Sequence, residues 1–341
     1  MKRLAWFGLL LIVTLPATSQ QVDPHLAGPD PWFSTFSIVA LDPATQELGV
    51  AVQSRAFGAG AAVPYAKAGV GAVATQAAAN RSYGPKAIAS LEAGLSPAEA
   101  VRKMVEEDPA KLRNQVAVID MKGRTAVYTS PTIDAGGKDA QGNPAYAGSI
   151  EGKNYSVQGN TLAGEEVVKA MAKAFETTPG RLEDRLMAAL DAGQSKGGDR
   201  RGMQSAGILV VRPVKDPNND VERAVDLRVD DAADPFKELH RLLDIRRANG
   251  FSQQSSQLAQ QGKFAEAIAQ QKKAVDMNPK SDALHYALAQ RYAQAGEYLN
   301  ALTELEIAAK MLRRYKEQAA RDPVFEKMQQ FVEFKRFLGT N

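Results

Sequence analysis

Cysteine is absent from the 341 residues, and histidine occurs only three times. Without thiols the chain has no disulfide, no thiolate metal site and no cysteine nucleophile. The absence fits an envelope compartment. His25, His240 and His285 show no ligand spacing, so no metal is expected, and a Ser-His-Asp triad has no base. His25 falls in the leader, His240 on a helix face and His285 at an aromatic position of a repeat. A Gly-x-x-x-x-Gly-Lys loop is missing, and Gly69-Val70-Gly71 lacks the third glycine of a dinucleotide turn, so no cofactor is expected either. Charge of one sign is also lacking. Lys plus Arg total 42 against 39 Asp plus Glu, and two of the surplus cations are Lys2 and Arg3. That balance excludes a nucleic-acid footprint.

Long apolar runs are missing beyond residue 15. Lys2-Arg3, the apolar stretch Leu4 to Leu15, Pro16 and the small residues Ala17, Thr18 and Ser19 read as a secretory signal peptide cut near Ser19 or Gln20. The run is shorter than the ~20 residues that span a bilayer. Residues 1–20 are therefore expected as a signal and 21–34 as a leader segment. The mature chain is expected to be periplasmic or extracellular, with no membrane span.

An internal repeat is present. Phe251, Leu258, Gly262, Phe264, Ala267 and Ala274 recur as His285, Tyr292, Gly296, Tyr298, Ala301 and Ala308. Each offset is 34 residues, the tetratricopeptide period. The glycines suit turns between antiparallel helices, the alanines suit close crossings, and Asn278-Pro279 ends the first repeat. Two repeats over 248–313 are expected, followed by a cap over 314–341. Val324, Met328, Phe331, Phe334 and Leu338 share one helical face there. Such repeats usually bind a protein or peptide segment.

Ahead of the repeats, alternation predicts strands over Trp32 to Leu41 and Leu48 to Ser54, and a third strand over Ala68 to Thr75. Tyr83 to Ala93 reads as a helix ending at Gly94, and Ser96-Pro97-Ala98-Glu99 opens the next with a capping box. Gln115 to Asp120 and Arg124 to Thr129 form a hairpin around Lys122-Gly123. Two helices follow, Val167 to Thr177 and Leu182 to Ala192, then strands Ala206 to Arg212 and Ala224 to Val229. A linking helix spans 234–247. Hairpins dominate, so the sheets are antiparallel, in an α+β arrangement over 35–233. Two sheets facing each other would make a four-layer αββα sandwich.

A hydrolase lacking His and Cys can use a hydroxyl at a free chain terminus, with its own α-amine as the base. That amine has an unperturbed pKa of ~7.7–8.0, close to working pH. Ser34 and Thr35 open the first strand.

The stretches Thr35–Pro43, Leu48–Ser54, Val63–Gln76, Asn80, Tyr83–Pro85, Gly159–Asn160 and Gly197–Ala206 resemble the bacterial DUF1028 family, a relative of N-terminal-nucleophile hydrolases without a settled substrate. The resemblance implies the αββα sandwich and places Thr35 as nucleophile. It implies a supporting role for Lys67, 32 residues on, against the alternative of a solvated edge lysine. Asn80 and Asn160 are candidate oxyanion donors or turn-holding amides. Asp199 and Arg201 could pair with each other or grip a polar substrate end, and Gln204 and Ser205 are neighbouring substrate-binding candidates. Amide-bond hydrolysis through Thr35 is the expected function, with the repeats recruiting a partner. It requires a cut between Ser34 and Thr35. The alternative is a non-catalytic envelope scaffold acting through its repeats.

Overall fold

The computed structural model describes residues 35–133, 144–214 and 222–339. The expected signal and leader, including Trp32, lie outside the described residues. Strand β1 (Thr35–Asp42) turns back into β2 (Glu47–Ser54). A single turn of helix, α1 (Ala59–Ala62), leads to β3 (Pro64–Lys67) and β4 (Gly71–Ala77). Helices α2 (Tyr83–Glu92) and α3 (Pro97–Glu106) follow, then β5 (Asn114–Asp120) and β6 (Thr125–Thr129). The second half repeats this order with β7 (Tyr146–Gly152), β8 (Tyr155–Leu162), α4 (Glu166–Thr177), α5 (Leu182–Ser195), β9 (Ser205–Val211) and β10 (Arg223–Val229).

The strands form a six-stranded sheet, β10-β9-β2-β1-β8-β7, and a four-stranded sheet, β3-β4-β5-β6, with every pairing antiparallel. Alternation sorts each strand. Phe36, Ile38 and Ala40 of β1 pack with Met171, Phe175, Leu186 and Leu190 of α4 and α5. Val39 and Leu41 point the other way and meet Ala72, Ala74, Ala117 and Ile119 of the smaller sheet. Val73, Val116 and Val118 bury their own outer face under Tyr83, Ile88, Val101 and Met104 of α2 and α3. Each sheet thus carries helices on one face and the other sheet on its opposite face.

The local signals for α2 and α3 are realised. Gly94 takes φ 88° after α2, and Ser96 and Glu99 exchange both bonds of the capping box. Gly207 on β9 shows why small residues recur here. A Cβ there would lie 2.7 Å from Cα of Gly60 in α1, so α1 rests directly on the strand backbone. Gly207→Ala should push α1 off the sheet and cost about 1–3 kcal/mol, as overpacking does. Urea unfolding of the variant measures it, and a midpoint equal to the parent's would refute the close packing.

The structure departs from the sequence reading at several points. The third strand is a hairpin: Gly69, at φ 74°, turns the chain between β3 and β4, with Val70 N–H donating to the Lys67 carbonyl. The β7–β8 hairpin was not foreseen. Ser156, Gln158 and Asn160 of β8 are buried polar residues, so its inward face shows no apolar stripe to read, while Tyr155 and Val157 pack on the helix side. The linking helix and the first repeat helix are one continuous helix, α6 (Pro235–Gln260). Its Leu239 and Leu243 belong to the larger sheet's core, while Ala248 packs with Ala274 and Leu284 farther along.

The C-terminal region is helical: α7 (Phe264–Met277), α8 (Asp282–Gln294), α9 (Tyr298–Met311) and α10 (Arg314–Arg321). Gly262 and Gly296 sit at φ 74° and 82° between helices. Lys263 N–H donates to the Leu258 carbonyl, and the equivalent bond recurs from Glu297 to Tyr292. The expected capping helix is broken. A 3₁₀ segment over Pro323–Gln330 stops at extended Phe331, and α11 (Val332–Leu338) follows. Asp322 fixes this geometry by capping Val324 N–H while accepting from Tyr286 Oη at 2.8 Å and Gln290 Nε2 at 2.7 Å. Phe325, Met328, Phe334 and Phe337 are still buried. No helix among the described residues is long and apolar enough to cross a membrane.

Candidate functional site

At one end of the space between the sheets the apolar filling gives way to hydroxyls and amides. The inward face of β1 reads Thr35, Ser37, Val39, Leu41, so its first two positions break an otherwise hydrophobic layer. Thr35 is 3% exposed and pairs in register with Ser54 of β2 on one side and Asn160 of β8 on the other. Thr35 Oγ1 donates to Ser54 Oγ at 3.0 Å. From the opposite sheet, Gln76 Nε2 donates to the Thr35 carbonyl at 3.3 Å and to Gln115 Oε1 at 2.6 Å. Gln115 Oε1 also accepts from Asn160 Nδ2 at 3.0 Å, while its Nε2 donates to Thr129 Oγ1 and the Gly159 carbonyl. Ser37 Oγ donates to Gln76 Oε1 and accepts from Gln158 Nε2, both at 2.6 Å.

These side chains are at most 3% exposed, apart from Thr129 at the rim. A densely bonded seam of this kind fixes its members, because losing any one leaves partners unsatisfied in a low-dielectric interior. Backbone strain sits beside it. Ala77, directly after Gln76, has φ 64°, and Thr161, directly after Asn160, has φ 52°. A β-branched residue in the left-handed region is held there against its preference, which is common at functional sites.

Asp199 closes this end. It is 1% exposed and bridges to Leu162, the last residue of β8. Its Oδ2 accepts Arg55 N–H at 2.9 Å and Arg201 Nη2 at 3.0 Å, and its Oδ1 accepts Arg201 N–H at 2.9 Å. Arg55 immediately follows Ser54, so the ion pair borders the Thr35 seam. Gly197, Gly198 and Gly202, all with positive φ, shape the loop that delivers it.

The family model for DUF1028, described as a family of unknown function, matches residues 35–239. The chain belongs to the DUF1028 family. A crystal structure of a DUF1028 protein from Silicibacter pomeroyi is 30% identical in sequence, with a TM-score of 0.53, and the match covers 62% of this chain and 84% of that one. No curated protein matches the chain.

Within this DUF1028 domain the structure brings together Thr35, Asn160, Asp199 and Arg201. It does not bring Lys67 to them. Lys67 ends β3 opposite Gly71, while Gln76, at the Thr35 end, lies at the other end of β4. The ammonium is half exposed and bonded to Glu92 at 2.5 Å; that bond, then the charge of Glu92, pushes its pKa up. A supporting lysine for Thr35 is therefore corrected to a solvated edge ion pair. Asn80 is likewise no oxyanion donor. Its Oδ1 accepts from Ser82 N–H and Oγ, and its Nδ2 donates to Asp108 Oδ2 at 3.0 Å, under the outer helices. Gln204 turns outward to Asp231 Oδ1 at 3.2 Å. Ser205 is fully buried and holds the loop after β2, accepting from Ala59 N–H at 3.0 Å and donating to the Ala56 carbonyl. Both side chains are thus engaged within the domain.

Sequence reasoning missed Ser37, Ser54, Gln76, Gln115 and Gln158. The available signal was a glutamine or serine at an inward position of a strand whose other inward positions are apolar. Among the described residues no cluster of three His, Cys, Asp or Glu could hold a metal.

Proposed function

We propose that this chain is an exported amide-bond hydrolase whose nucleophile is the hydroxyl of Thr35, acting on small or peptide-like substrates. The observation that carries this reading is the place of Thr35: first residue of a central strand, between the two sheets, with Oγ1 held by Ser54 and the carbonyl held by Gln76. The side chains bonded around it are neutral amides and hydroxyls, so a base at that point is best supplied by the threonine's own nitrogen. The face-to-face sheets with helices outside support reading the domain as an N-terminal-nucleophile-type αββα sandwich. The two matching glycine turns support reading α6 to α9 as a tetratricopeptide-type pair that recruits a protein or peptide partner.

The chemistry follows from a free amine. Once the Ser34–Thr35 bond is hydrolysed, the α-amine takes the Oγ1 proton as Oγ1 adds to the substrate carbonyl carbon. The C–N bond breaks, the leaving amine receives that proton, and an acyl ester on Thr35 remains. Water, deprotonated by the same amine, hydrolyses the ester and frees the acid.

Mass spectrometry of the mature protein should find Thr35 at the N-terminus. Thr35→Ala should lower hydrolysis of acyl and aminoacyl p-nitroanilides by at least about a thousandfold, with Thr35→Ser retaining part of it. An intact bond before Thr35, together with undiminished turnover in Thr35→Ala, would defeat the reading. A scaffold role through the repeats is the second reading. It is favoured by the 34 residues that precede Thr35 in this sequence, which leave its nitrogen acylated until they are cut. Full-length protein that stays uncut yet retains a specific partner in co-purification would favour it.

A further inference from the structure

Two large apolar side chains stand in solvent near the Thr35 end of the sandwich, one in the turn after β2 and one in the 3₁₀ turn before β5. Phe57 is 73% exposed and lies three residues after Ser54, the register partner of Thr35. Leu112 is 51% exposed and lies three residues before Gln115, which reaches Thr35 through Gln76. Both segments are turns, so each residue lies within about 10 Å of the strand residue it is counted from, the reach of side chains two or three positions away from a bond held at Thr35.

Neither residue sits on a loose loop. Around Phe57, Arg55 N–H donates to Asp199, the Ala56 carbonyl accepts from Ser205 Oγ, and Gly58 N–H donates to the Asp230 carbonyl at 2.9 Å. Around Leu112, its own carbonyl accepts from Thr132 Oγ1, the Lys111 carbonyl accepts from Tyr128 Oη at 3.2 Å, and the Arg113 carbonyl accepts from Ala78 N–H at 2.9 Å. The backbone is anchored and the apolar side chains are left outside. Burying such a side chain is favourable, a gain that folding here leaves unused.

We infer that Phe57 and Leu112 are specificity residues, which bind an extended peptide-like amide by apolar side chains on either side of the bond at Thr35. The inference rests on Thr35 marking the reactive end, and its test separates binding from turnover. Saturation-transfer NMR with acetyl-Phe-Leu-amide, and with acetyl-Ser-Asn-amide as the polar control, is run on the full chain as Thr35→Ala. The same background carrying Phe57→Ser, Leu112→Ser or both is compared. Transfer to the apolar amide should be strong in the parent and its affinity should fall about tenfold in the double variant, with the polar control weak throughout. Both positions are exposed, so thermal unfolding should be unchanged. An apolar amide that receives no transfer, or receives it equally in parent and double variant, overturns the inference. Binding that depends on Phe57 and Leu112, without any turnover by the wild-type chain, would leave the apolar site standing and remove the hydrolase reading instead.

Discussion

Asp199→Ala is expected to lower the stability of the folded chain by about 3–5 kcal/mol, the cost of breaking a buried ion pair by deleting one partner. The Asp199 side chain is fully buried and that of Arg201 is 15% exposed, so water replaces little of what is lost. The deletion strips the guanidinium of its carboxylate and also leaves Arg55 N–H and Arg201 N–H without their acceptor. Asp199→Asn keeps an acceptor oxygen of the same shape and should lose less. Denaturant unfolding of both variants measures the order. A loss below about 1 kcal/mol for Asp199→Ala would place the pair among weak surface bridges. Because Arg55 starts the loop that carries Phe57, the same variant should also weaken binding of the apolar amide.

Asp108→Ala should cost a similar amount, about 3–4 kcal/mol, since four donors, two of them on buried residues, converge on this one carboxylate. Tyr83 Oη donates at 2.6 Å, Asn114 Nδ2 at 2.8 Å, Asn80 Nδ2 at 3.0 Å and Ala110 N–H at 2.8 Å. The cluster ties α2 to the start of β5. Burial pushes the Asp108 carboxyl up, but the bonds from Tyr83, Asn80 and Ala110, with the charge of Lys86, outweigh it and hold the pKa below the usual value. A depressed folded pKa contributes stability above the unfolded pKa of ~3.9, and that contribution is lost as pH falls through the folded value. The Asp108→Ala deficit should therefore be largest near neutrality and shrink below pH ~4. A deficit constant from neutral to strongly acid pH would show that the carboxylate is not ionised in the fold. Tyr83 shifts in the matching direction: burial and the Asp108 bond both raise it.

Strands with an apolar stripe and helices with caps were legible before any coordinates. β1, β2 and the β5–β6 hairpin alternate cleanly, and the Ser96 capping box and Gly94 cap punctuate the helices as local chemistry requires. β8 was not legible, because Ser156, Gln158 and Asn160 are polar yet buried, and Gln158 and Asn160 find their partners on other strands. The candidate site divided the same way. Thr35 and Asn160 could be named from the chain, but their pairing required β8 to be seen. Lys67 was misjudged because separation along the chain carries no information on which end of a strand a side chain occupies. The tail's helical spacing picks out Met328 and Phe334, which are buried, but also Phe331, which is exposed, and it is wrong about continuity, since Asp322 enforces a 3₁₀ turn that periodicity alone does not distinguish.

The family match ends at residue 239, five residues into α6. That point is a statistical border inside a rigid rod. Leu239 and Leu243 dock on one core and Ala248 on the next, without an intervening joint. A protease should find no susceptible site between the two halves of the described chain, and a truncation at the family border would sever a helix and expose its apolar face. The helical end is thus held at a fixed bearing to the Thr35 end of the sandwich, like a tool clamped to its handle.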